Sequence, residues 1–361
     1  MVLKNNLYMC YNIEKRKGGK MVDIWEKLKS CDRPIFIYGT GNGADKLIDR
    51  LKELKVKITG VFASDGFVRE RYFRGFKVVP FSYVKENFSN AIALLSFGTS
   101  RVDTLNYIKE ISKEITLLMP EVPVVGTEIF DLEFAKKHSK ELKTVYNLLA
   151  DDISKKTFYN LIMFKLTGEL DYLFSCESDE QKEFFSILNL QKQDNYLDLG
   201  AYNADTVLDF INRVGGGEIV AVEPDKKTFK KLVKNTENYK VTTINAAVGE
   251  VDGMVEFNSG SGRGSSIGEG ESITAVTIDK LSQSTSFNYI KFDIEGAELS
   301  AILGGKNTIA KTKPKMLISC YHRSEDYFTI PLKILEFNRG YKIYMRHFPA
   351  VPAWDTCFYF V

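Results

Sequence analysis

Apolar and polar positions alternate in two separate stretches of the chain, each in the way expected of strands and amphipathic helices in a parallel α/β fold. In the first stretch, Ile35–Tyr38 predicts a strand, Gly39–Gly43 a turn and, after a helix, Ile58–Phe62 a second strand. The apolar run "AIALLSFGT" predicts a further buried strand. This stretch therefore indicates a Rossmann-like domain over residues 31–127.

The second stretch repeats the alternation after a helical linker or cap over residues 128–190, where apolar residues recur three and four positions apart. Strands are predicted by "NYLDLGA", "EIVAVEP", "VTTINAAVG", "YIKFDIE" and "PKMLISCYH", and a closing hairpin by "YKIYMRHF" and "TCFYFV". We expect two Rossmann-like α/β domains joined by the helical segment, the C-terminal one spanning residues 191–361 with a seven-stranded, mostly parallel sheet. Residues 1–30 are expected to form a tail and a helix, with residues 1–20 a tail or a start-site artefact.

Composition narrows the classes of protein that fit this pattern. A net charge of +2 over 361 residues argues against a dedicated nucleic-acid binder. The five cysteines show no CxxC pair and there are three histidines, so no metal site is expected and the thiols suit a reducing cytoplasm. The chain has no apolar run of about 18 residues, and its N-terminus lacks the apolar core of a signal peptide. We therefore expect a cytoplasmic protein without a membrane span.

The turn after the first strand of the second stretch, "LDLGAYNAD", has the chemistry of a nucleoside site without a phosphate clamp. Gly200 is its one glycine, and Asp205 and Thr206 open the next helix. Glu223 ends the following strand, 23 positions after Gly200, where an acid can accept both hydroxyls of an adenosine ribose. A glycine turn with a ribose acid points to S-adenosylmethionine, although a helix-leading acid would explain each carboxylate alone equally well.

The turn of the first stretch, "GTGNGA", fits the dinucleotide pattern G-x-G-x-x-[GA] with Gly39, Gly41 and Ala44. Asn42 lies within this turn, and Asp65 follows the second strand near the offset at which an acid contacts a ribose. These residues predict a nucleotide site. The same glycines also suit a tight strand–helix turn without a ligand, and the sequence does not decide between the two.

A set of segments in the second stretch carries a family resemblance. "YLDLGAYNADT", "AVEPD", "NAAVGEVDG", "VTIDKL", "YIKFDIEGAE", "PKMLISCYH" and "YKIYMRHF" occur in this order and resemble the FkbM family of S-adenosylmethionine-dependent methyltransferases over about residues 145–361. The resemblance implies a class I methyltransferase-type fold and O-methylation of a hydroxyl of a sugar or natural product. Ala204 stands where the family more often has glycine, so the following helix is expected to begin slightly differently.

The site residues follow from the turn and the resemblance together. The cofactor is expected to contact Asp198, Gly200, Ala201, Tyr202, Asp205, Thr206, Glu223, Pro224, Ala247 and Asp293. The first stretch separately resembles small Rossmann-like modules of bacterial polysaccharide enzymes, through its glycine turn, "GVFASD" and the return Gly75–Val79. Some such modules bind a nucleotide sugar or a dinucleotide.

The segment "YIKFDIEGAEL" places charged residues at alternate positions of a predicted strand. A period of two puts Lys291, Asp293 and Glu295 on one side of that strand, at the edge where ligands of open α/β sheets bind. Tyr321 and His322 end the neighbouring strand. Asp293, Glu295 and His322 are therefore the catalytic candidates, with Glu295 or His322 as general base.

Further residues are candidates for contact with the substrate. Glu298 is interpreted first as a helix residue in the first turn, and the loop "GSGRGSS" as a lid or a solvated hairpin. The substrate candidates are Lys291, Glu298, Ser265, Ser266 and Tyr321.

From the sequence we expect O-methylation of a sugar or glycan precursor, free or nucleotide-linked, as the favoured activity. The alternatives are N-methylation of a small molecule or RNA, and a non-catalytic, nucleotide-responsive binding protein. A homo-oligomer is compatible with the sequence.

Overall fold

The computed structural model describes residues 21–68, 71–258, 266–267 and 271–361, which fold into two compact units. The first unit comprises the described residues up to Asn147 together with Asp152–Ser178 and His347–Asp355. The second comprises Leu148–Asp151, Asp179–Arg346 and Thr356–Val361. Both are built from parallel-rich sheets and helices, so the predicted mixed α/β fold is confirmed. The expected tail at residues 1–20 lies outside the described residues.

The first unit has a sheet of strand order β3-β4-β2-β1-β5-β6. Its strands are β1 (Ile35–Tyr38), β2 (Gly60–Ala63), β3 (Tyr72–Phe73), β4 (Phe76–Pro80), β5 (Ile92–Leu95) and β6 (Thr116–Leu118). All neighbouring pairs are parallel except β3 and β4. Strands β1, β2 and β5 are buried at every position, which is why they read as continuous apolar runs.

Helices in the first unit begin where polar or small residues precede apolar periodicity. Asp23 and Asp131 accept hydrogen bonds from the backbone amides of the first turns that follow them. The helices are Ile24–Lys29, Asn42–Glu53, Phe81–Asn87, Val102–Glu114, Leu132–Lys137, Ser139–Leu148, Asp152–Thr167 and Asp171–Phe174, with a 3-10 turn at Asp65–Phe67.

The second unit has a sheet of strand order β16-β17-β15-β14-β7-β8-β9. Its strands are β7 (Tyr196–Leu199), β8 (Ile219–Val222), β9 (Val241–Ile244), β14 (Tyr289–Phe292), β15 (Lys315–Ser319), β16 (Ile343–His347) and β17 (Thr356–Phe360). The five strands from β9 to β15 are parallel, and β17 is antiparallel to β15. The order reverses at β7, which has β8 on one side and β14 on the other.

A smaller sheet of order β10-β13-β11-β12 accompanies it. Its strands are β10 (Ala247–Val248), β11 (Gly253–Asn258), β12 (Ser266–Ile267) and β13 (Glu271–Val276). The predicted strand "VTTINAAVG" is thus two strands in different sheets, β9 and β10. The helices of the second unit are Glu180–Glu183, Asp205–Arg213, Lys226–Thr236, Ile278–Leu281, Glu298–Gly304, Lys306–Thr312 and Asp326–Phe337, with a π-helical turn at Phe184–Leu188.

Aromatic side chains fix β7 and β14 together at the core of the second unit. The ring of Tyr196 stacks on those of Tyr289 and Phe210, at centroid separations of 4.9 and 4.4 Å. Tyr196 and Tyr289 are register partners in the adjacent strands. This stacking near the amino ends of the two strands fixes the position of their carboxyl ends relative to each other.

Strand β14 is shorter than the sequence predicts. It ends at Phe292, and Asp293 donates its amide to Leu199 as the chain leaves the sheet. Glu295 has φ of 53° and Gly296 φ of 91°, so both lie in a left-handed turn. The expectation that Lys291, Asp293 and Glu295 share one side of a strand is therefore wrong, since the turn and not a period of two orients the last two.

Candidate active site

The switch point between β7 and β14 brings the turn after β7 against the end of β14. Gly200 has φ of 82°, and a Cβ at this position would lie 1.9 Å from the carbonyl oxygen of Asp293. The amides of Gly200 and Ala201 both donate to the carbonyl of Val222. Only glycine permits this approach, so Gly200 joins the ends of β7, β8 and β14 at one place.

The rest of this turn is held in an unusual backbone conformation. Tyr202 and Ala204 have φ of 45° and 80°, a region that is unfavourable for residues with a Cβ. The left-handed region is open to glycine at no steric cost, which explains why glycine suits position 204. Asp205 then begins the helix and is exposed, while Thr206 Oγ1 donates to Asp198 Oδ2 at 2.5 Å.

Glu223 connects this turn to the end of β8. Its Oε2 accepts the amide of Tyr202 at 3.0 Å and its Oε1 accepts the amide of Asp225 at 2.8 Å. The side chain is 6% exposed, and burial raises its pKa from 4.5 to about 7 despite these two bonds. Each carboxylate oxygen has a second lone pair, so Glu223 can still accept hydrogen bonds from a ligand.

Asp198 lies under the turn. Its side chain is fully buried, and its oxygens are taken up by Thr206 and by Lys291 Nζ, at 3.4 Å. We therefore interpret Asp198 as a residue that positions the turn rather than one that contacts a ligand directly.

Lys291 lies between two carboxylates. Its Nζ is 3.4 Å from Asp198 Oδ1 and 3.9 Å from Asp293 Oδ2. Burial opposes its charge, but the two aspartates outweigh burial and raise its pKa. Burial alone would raise the pKa of Asp293, but Lys291 and His322, together with hydrogen bonds from Ser319 and Tyr321, lower it. Tyr321 donates its hydroxyl to Asp293 Oδ1 at 3.1 Å, so Asp293 is held as a carboxylate.

His322 is the centre of a carboxylate cluster. Its Nδ1 lies 2.9 Å from Glu298 Oε1, and its Nε2 lies 3.5 Å from Glu295 Oε2 and 3.7 Å from Asp293 Oδ1. Burial alone would lower its pKa, but Glu298 and the other carboxylates raise it to about 10. A protonated imidazole cannot accept a proton, so the prediction of His322 as general base is disfavoured at neutral pH.

Glu298 differs from its sequence interpretation. It does begin the helix Glu298–Gly304, but it is fully buried and accepts the amide of Ile294 at 3.0 Å besides facing His322. It therefore belongs to the cluster around His322 and is not a solvated residue that balances the helix dipole.

Several residues near this edge were missed by the sequence analysis. Asp225 caps the helix Lys226–Thr236 by accepting the amide of Thr228. An acid directly before an amphipathic run is typical of a helix N-cap, so this role could have been predicted from the sequence. Asn245 donates its side-chain amide to the carbonyls of Glu223 and Pro224. Asp326 is 2% exposed beside the His322 cluster, and nothing in its local sequence distinguishes it from an exposed helix-leading acid.

Other predicted site residues lie elsewhere or are not described. Ala247 is in the smaller sheet, where it pairs with Ala275. Ser265 lies outside the described residues; Ser266 is in β12 and its side chain is not described.

The predicted nucleotide residues of the first unit have structural roles of their own. A Cβ on Gly39, which has φ of 116°, would lie 2.8 Å from side-chain atoms of both Phe97 and Ser96. Gly41 is the N-cap of the helix that begins at Asn42, and the space around its Cα is open. Asp65 accepts the amide of Ser82 in the first turn of the helix Phe81–Asn87.

Comparisons with known proteins agree with the fold. Residues 198–343 match the family model of the methyltransferase FkbM domain. The crystal structure of methyltransferase FkbM from Methylobacillus flagellatus KT aligns over 99% of both chains, with a TM-score of 0.76 and 22% identity. At that identity the likeness concerns the fold. The comparison with curated proteins found no match.

More distant structures also align. Precorrin-6y C5,15-methyltransferase from Geobacter metallireducens GS-15 aligns over 50% of this chain and 85% of its own, at 14% identity and a TM-score of 0.33. Fibrillarin from Aeropyrum pernix, solved with natively bound S-adenosyl-L-methionine, aligns over 47% of this chain and 67% of its own, at 14% identity and a TM-score of 0.32. Likenesses of this size support no inference about the present chain.

The matched domain model, together with the fold, indicates a methyltransferase. Residues 198–343 match this domain model, which confirms the resemblance found in the sequence. The match and the fold support methyl transfer that depends on S-adenosylmethionine. Among the described residues, no helix is long and apolar enough to cross a bilayer.

Proposed function

We propose that the protein transfers a methyl group from S-adenosylmethionine to a hydroxyl of a sugar or glycan precursor. The observation that carries this proposal is the cluster of Asp293, Glu295 and His322 at the carboxyl ends of β14 and β15, beside the Gly200 turn. Two carboxylates and a cation in one place can hold the several hydroxyls of a polyol and accept a proton from one of them.

The residues at the turn fit the cofactor. Glu223 has a buried carboxylate with acceptor capacity left for the two ribose hydroxyls, and Gly200, Ala201 and Tyr202 bring backbone groups to the same edge. Bound there, S-adenosylmethionine supplies an electrophilic methyl group on a sulfonium. Asp293 follows β14 directly, its backbone adjoins Gly200, and its carboxylate favours a cationic ligand.

We assign the two carboxylates different roles. The lowered pKa of Asp293 makes it a weak base, which suits hydrogen bonding to the acceptor. Glu295 lies two residues further from the cofactor turn, and its side chain is 27% exposed. We propose that Glu295 takes the hydroxyl proton while the acceptor oxygen bonds to the methyl carbon and the sulfonium leaves as a neutral thioether. His322 faces both carboxylates, with its Nε2 3.5 Å from Glu295 and 3.7 Å from Asp293, and balances their charge.

Substitution of the two carboxylates tests these roles. Glu295→Gln is expected to lower kcat by about a hundredfold with an unchanged Kd for S-adenosylmethionine, while Asp293→Asn is expected to affect both. Transfer of labelled methyl groups to a panel of free sugars and nucleotide sugars, with calorimetry for the cofactor, measures both quantities. Glu237→Gln, an exposed position in the same unit, serves as control. Full turnover in Glu295→Gln would remove Glu295 as the base.

We propose in addition that the first unit binds a nucleotide. The supporting features are the open N-cap at Gly41 and the glycine turn that follows β1, at the carboxyl end of a parallel strand. Arg71 donates to the hydroxyl of Thr40 next to this N-cap and adds positive charge there. Gly39 and Asp65 also have roles in packing and helix capping. If no nucleotide binds, these roles alone would account for the turn, and the proposal would be contradicted.

A further inference from the structure

The carboxylate of Glu298 has one oxygen whose bonding is incomplete. Its Oε1 accepts the amide of Ile294 and lies 2.9 Å from His322 Nδ1. Its Oε2 is buried and has no hydrogen-bond partner among the described residues. A buried carboxylate oxygen without a donor costs about 1–3 kcal/mol or more, so the geometry calls for a proton donor next to Oε2.

A second buried acid, Asp326, interacts electrostatically with Glu298. It begins the helix Asp326–Phe337, which packs against the helix Glu298–Gly304, and it is 2% exposed. Its Oδ2 accepts the amide of Arg323 at 2.9 Å. Burial, followed by the charge of Glu298, raises the pKa of Asp326, whereas His322 lowers it and Glu325 raises it slightly. Of two adjacent buried carboxyl groups, one retains its proton because both cannot ionise at low cost.

We propose that Asp326, Glu298 and His322 form a buried relay in which the carboxyl group of Asp326 donates a hydrogen bond to Glu298 Oε2. Glu298 thereby holds Nδ1 of His322, and the ring directs Nε2 towards Glu295 and Asp293. Asp326 is thus a positioning residue that acts through Glu298. This role concerns the same reaction site and rests on the proposed function.

Two nearly isosteric substitutions of Asp326 separate this role from a purely electrostatic one. Asp326→Asn keeps a donor for Glu298 and an acceptor for the amide of Arg323, whereas Asp326→Val keeps neither, and both remove the ionisable group. NMR of ¹⁵N-labelled histidine follows His322, because the chain has three histidines. At pH 6, where Asp326 of the wild-type protein keeps its proton, we expect Asp326→Val to shift the resonances of the His322 ring nitrogens and Asp326→Asn to leave them close to their wild-type positions.

The wild-type titration gives a second measurement that does not depend on the folding of Asp326→Val. As the pH rises from about 7 to 10, loss of the proton from Asp326 should shift the ring nitrogens of His322 in a step of its own. The charged groups around Asp326 are Glu298, His322, Arg323 and Glu325, and Asp326→Asn leaves all of them in place while abolishing the step.

Equal shifts in the two variants, absence of the step in the wild-type protein, or its persistence in Asp326→Asn would each overturn the relay. The measurement requires neither cofactor nor acceptor, so its failure would concern the relay alone, whereas failure to bind S-adenosylmethionine would concern the proposed function.

Discussion

Glu223, beside the Gly200 turn, has a carboxyl group whose protonation changes near neutral pH. Its raised pKa, about 7, means that the ionised fraction falls as the pH drops below neutrality. Hydroxyl groups of a ribose donate to a carboxylate, so binding of S-adenosylmethionine should favour the ionised form. We expect Kd to be constant above about pH 8 and to rise roughly tenfold per pH unit well below pH 7.

Calorimetry in buffers of different ionisation enthalpy checks this linkage, because binding near neutral pH should release protons from Glu223. Glu223→Gln should bind about tenfold more weakly at pH 8 and lose the pH dependence. Glu218→Gln, an exposed residue that precedes the opposite end of β8, is the control. A Kd that does not vary with pH in the wild-type protein would contradict a role for Glu223 at the ribose.

Gly200 makes a second prediction at the scale of a residue. Gly200→Ala places a Cβ 1.9 Å from the carbonyl oxygen of Asp293, besides imposing a left-handed conformation on alanine. Gly75, with φ of 87°, has the same conformation but no atom within 4 Å of the added Cβ. Thermal unfolding should show a loss of about 1–2 kcal/mol for Gly75→Ala and at least about 2 kcal/mol more for Gly200→Ala, which should also lose cofactor binding. Similar losses of stability in the two variants would mean that the close contact with Asp293 does not determine the cost of a side chain at position 200.

At the scale of an element, Lys291 joins two parallel strands through their side chains. Lys291 of β14 and Asp198 of β7 are register partners, so their side chains lie on the same face of the sheet and form an ion pair there. The Lys291 side chain is 12% exposed and that of Asp198 is not exposed. The pair costs desolvation energy, but it also fixes the end of β14 beside the Gly200 turn.

Removal of this ammonium should therefore destabilise the second unit in a pH-dependent way. Lys291→Met leaves the carboxylates without their cation and should cost about 3 kcal/mol at pH 7. The raised pKa of Lys291 keeps it charged throughout the range tested, so its own titration does not contribute. Asp293 would lose the cation that lowers its pKa and would bind a proton at higher pH. The deficit should therefore shrink as the pH falls from about 7 to 5.

Denaturant unfolding of Lys291→Met at several pH values measures this, with Lys315→Met at the amino end of β15 as control. A deficit that is independent of pH would indicate lost packing of the aliphatic stem and not unpaired carboxylates.

The same region shows how far a sequence predicts a site. The strand cores of β7, β8 and β14 were predictable, because apolar runs bounded by turn residues determine them. The end of β14 was not: Glu295 adopts a left-handed conformation that only the tertiary contacts around it stabilise. The protonation of His322 was equally hidden, since it depends on Glu298 and Glu295, which the fold brings together.

At the scale of the whole molecule, the two compact units are not contiguous in sequence. The segment His347–Asp355, which starts at the last residue of β16 and ends before β17, belongs to the first unit, where Thr99 and Val351 exchange two backbone hydrogen bonds. The ring of Trp354 occupies the space next to Gly98, so that a Cβ there would lie 2.3 Å from it. A fragment of residues 21–130 would lack these contacts, and binding by the first unit is therefore best measured on the full chain.

The open N-cap at Gly41 allows a decisive test of nucleotide binding by that unit. Its φ and ψ of −107° and −169° suit an aspartate, and the space around its Cα is open.

Gly41→Asp should therefore cap the helix Asn42–Glu53 and stabilise it by about 0.5–1 kcal/mol. Its carboxylate should at the same time repel a pyrophosphate. With NAD or a uridine-diphosphate sugar, thermal unfolding of the full chain should shift upward in the wild-type protein and in Gly66→Asp, another open glycine, but not in Gly41→Asp. The proposal fails if neither ligand changes the melting temperature of the wild-type protein, or if all three proteins shift equally. Either result would show that no pyrophosphate binds at this turn, and Gly39 and Gly41 would then be residues of a tight strand–helix connection.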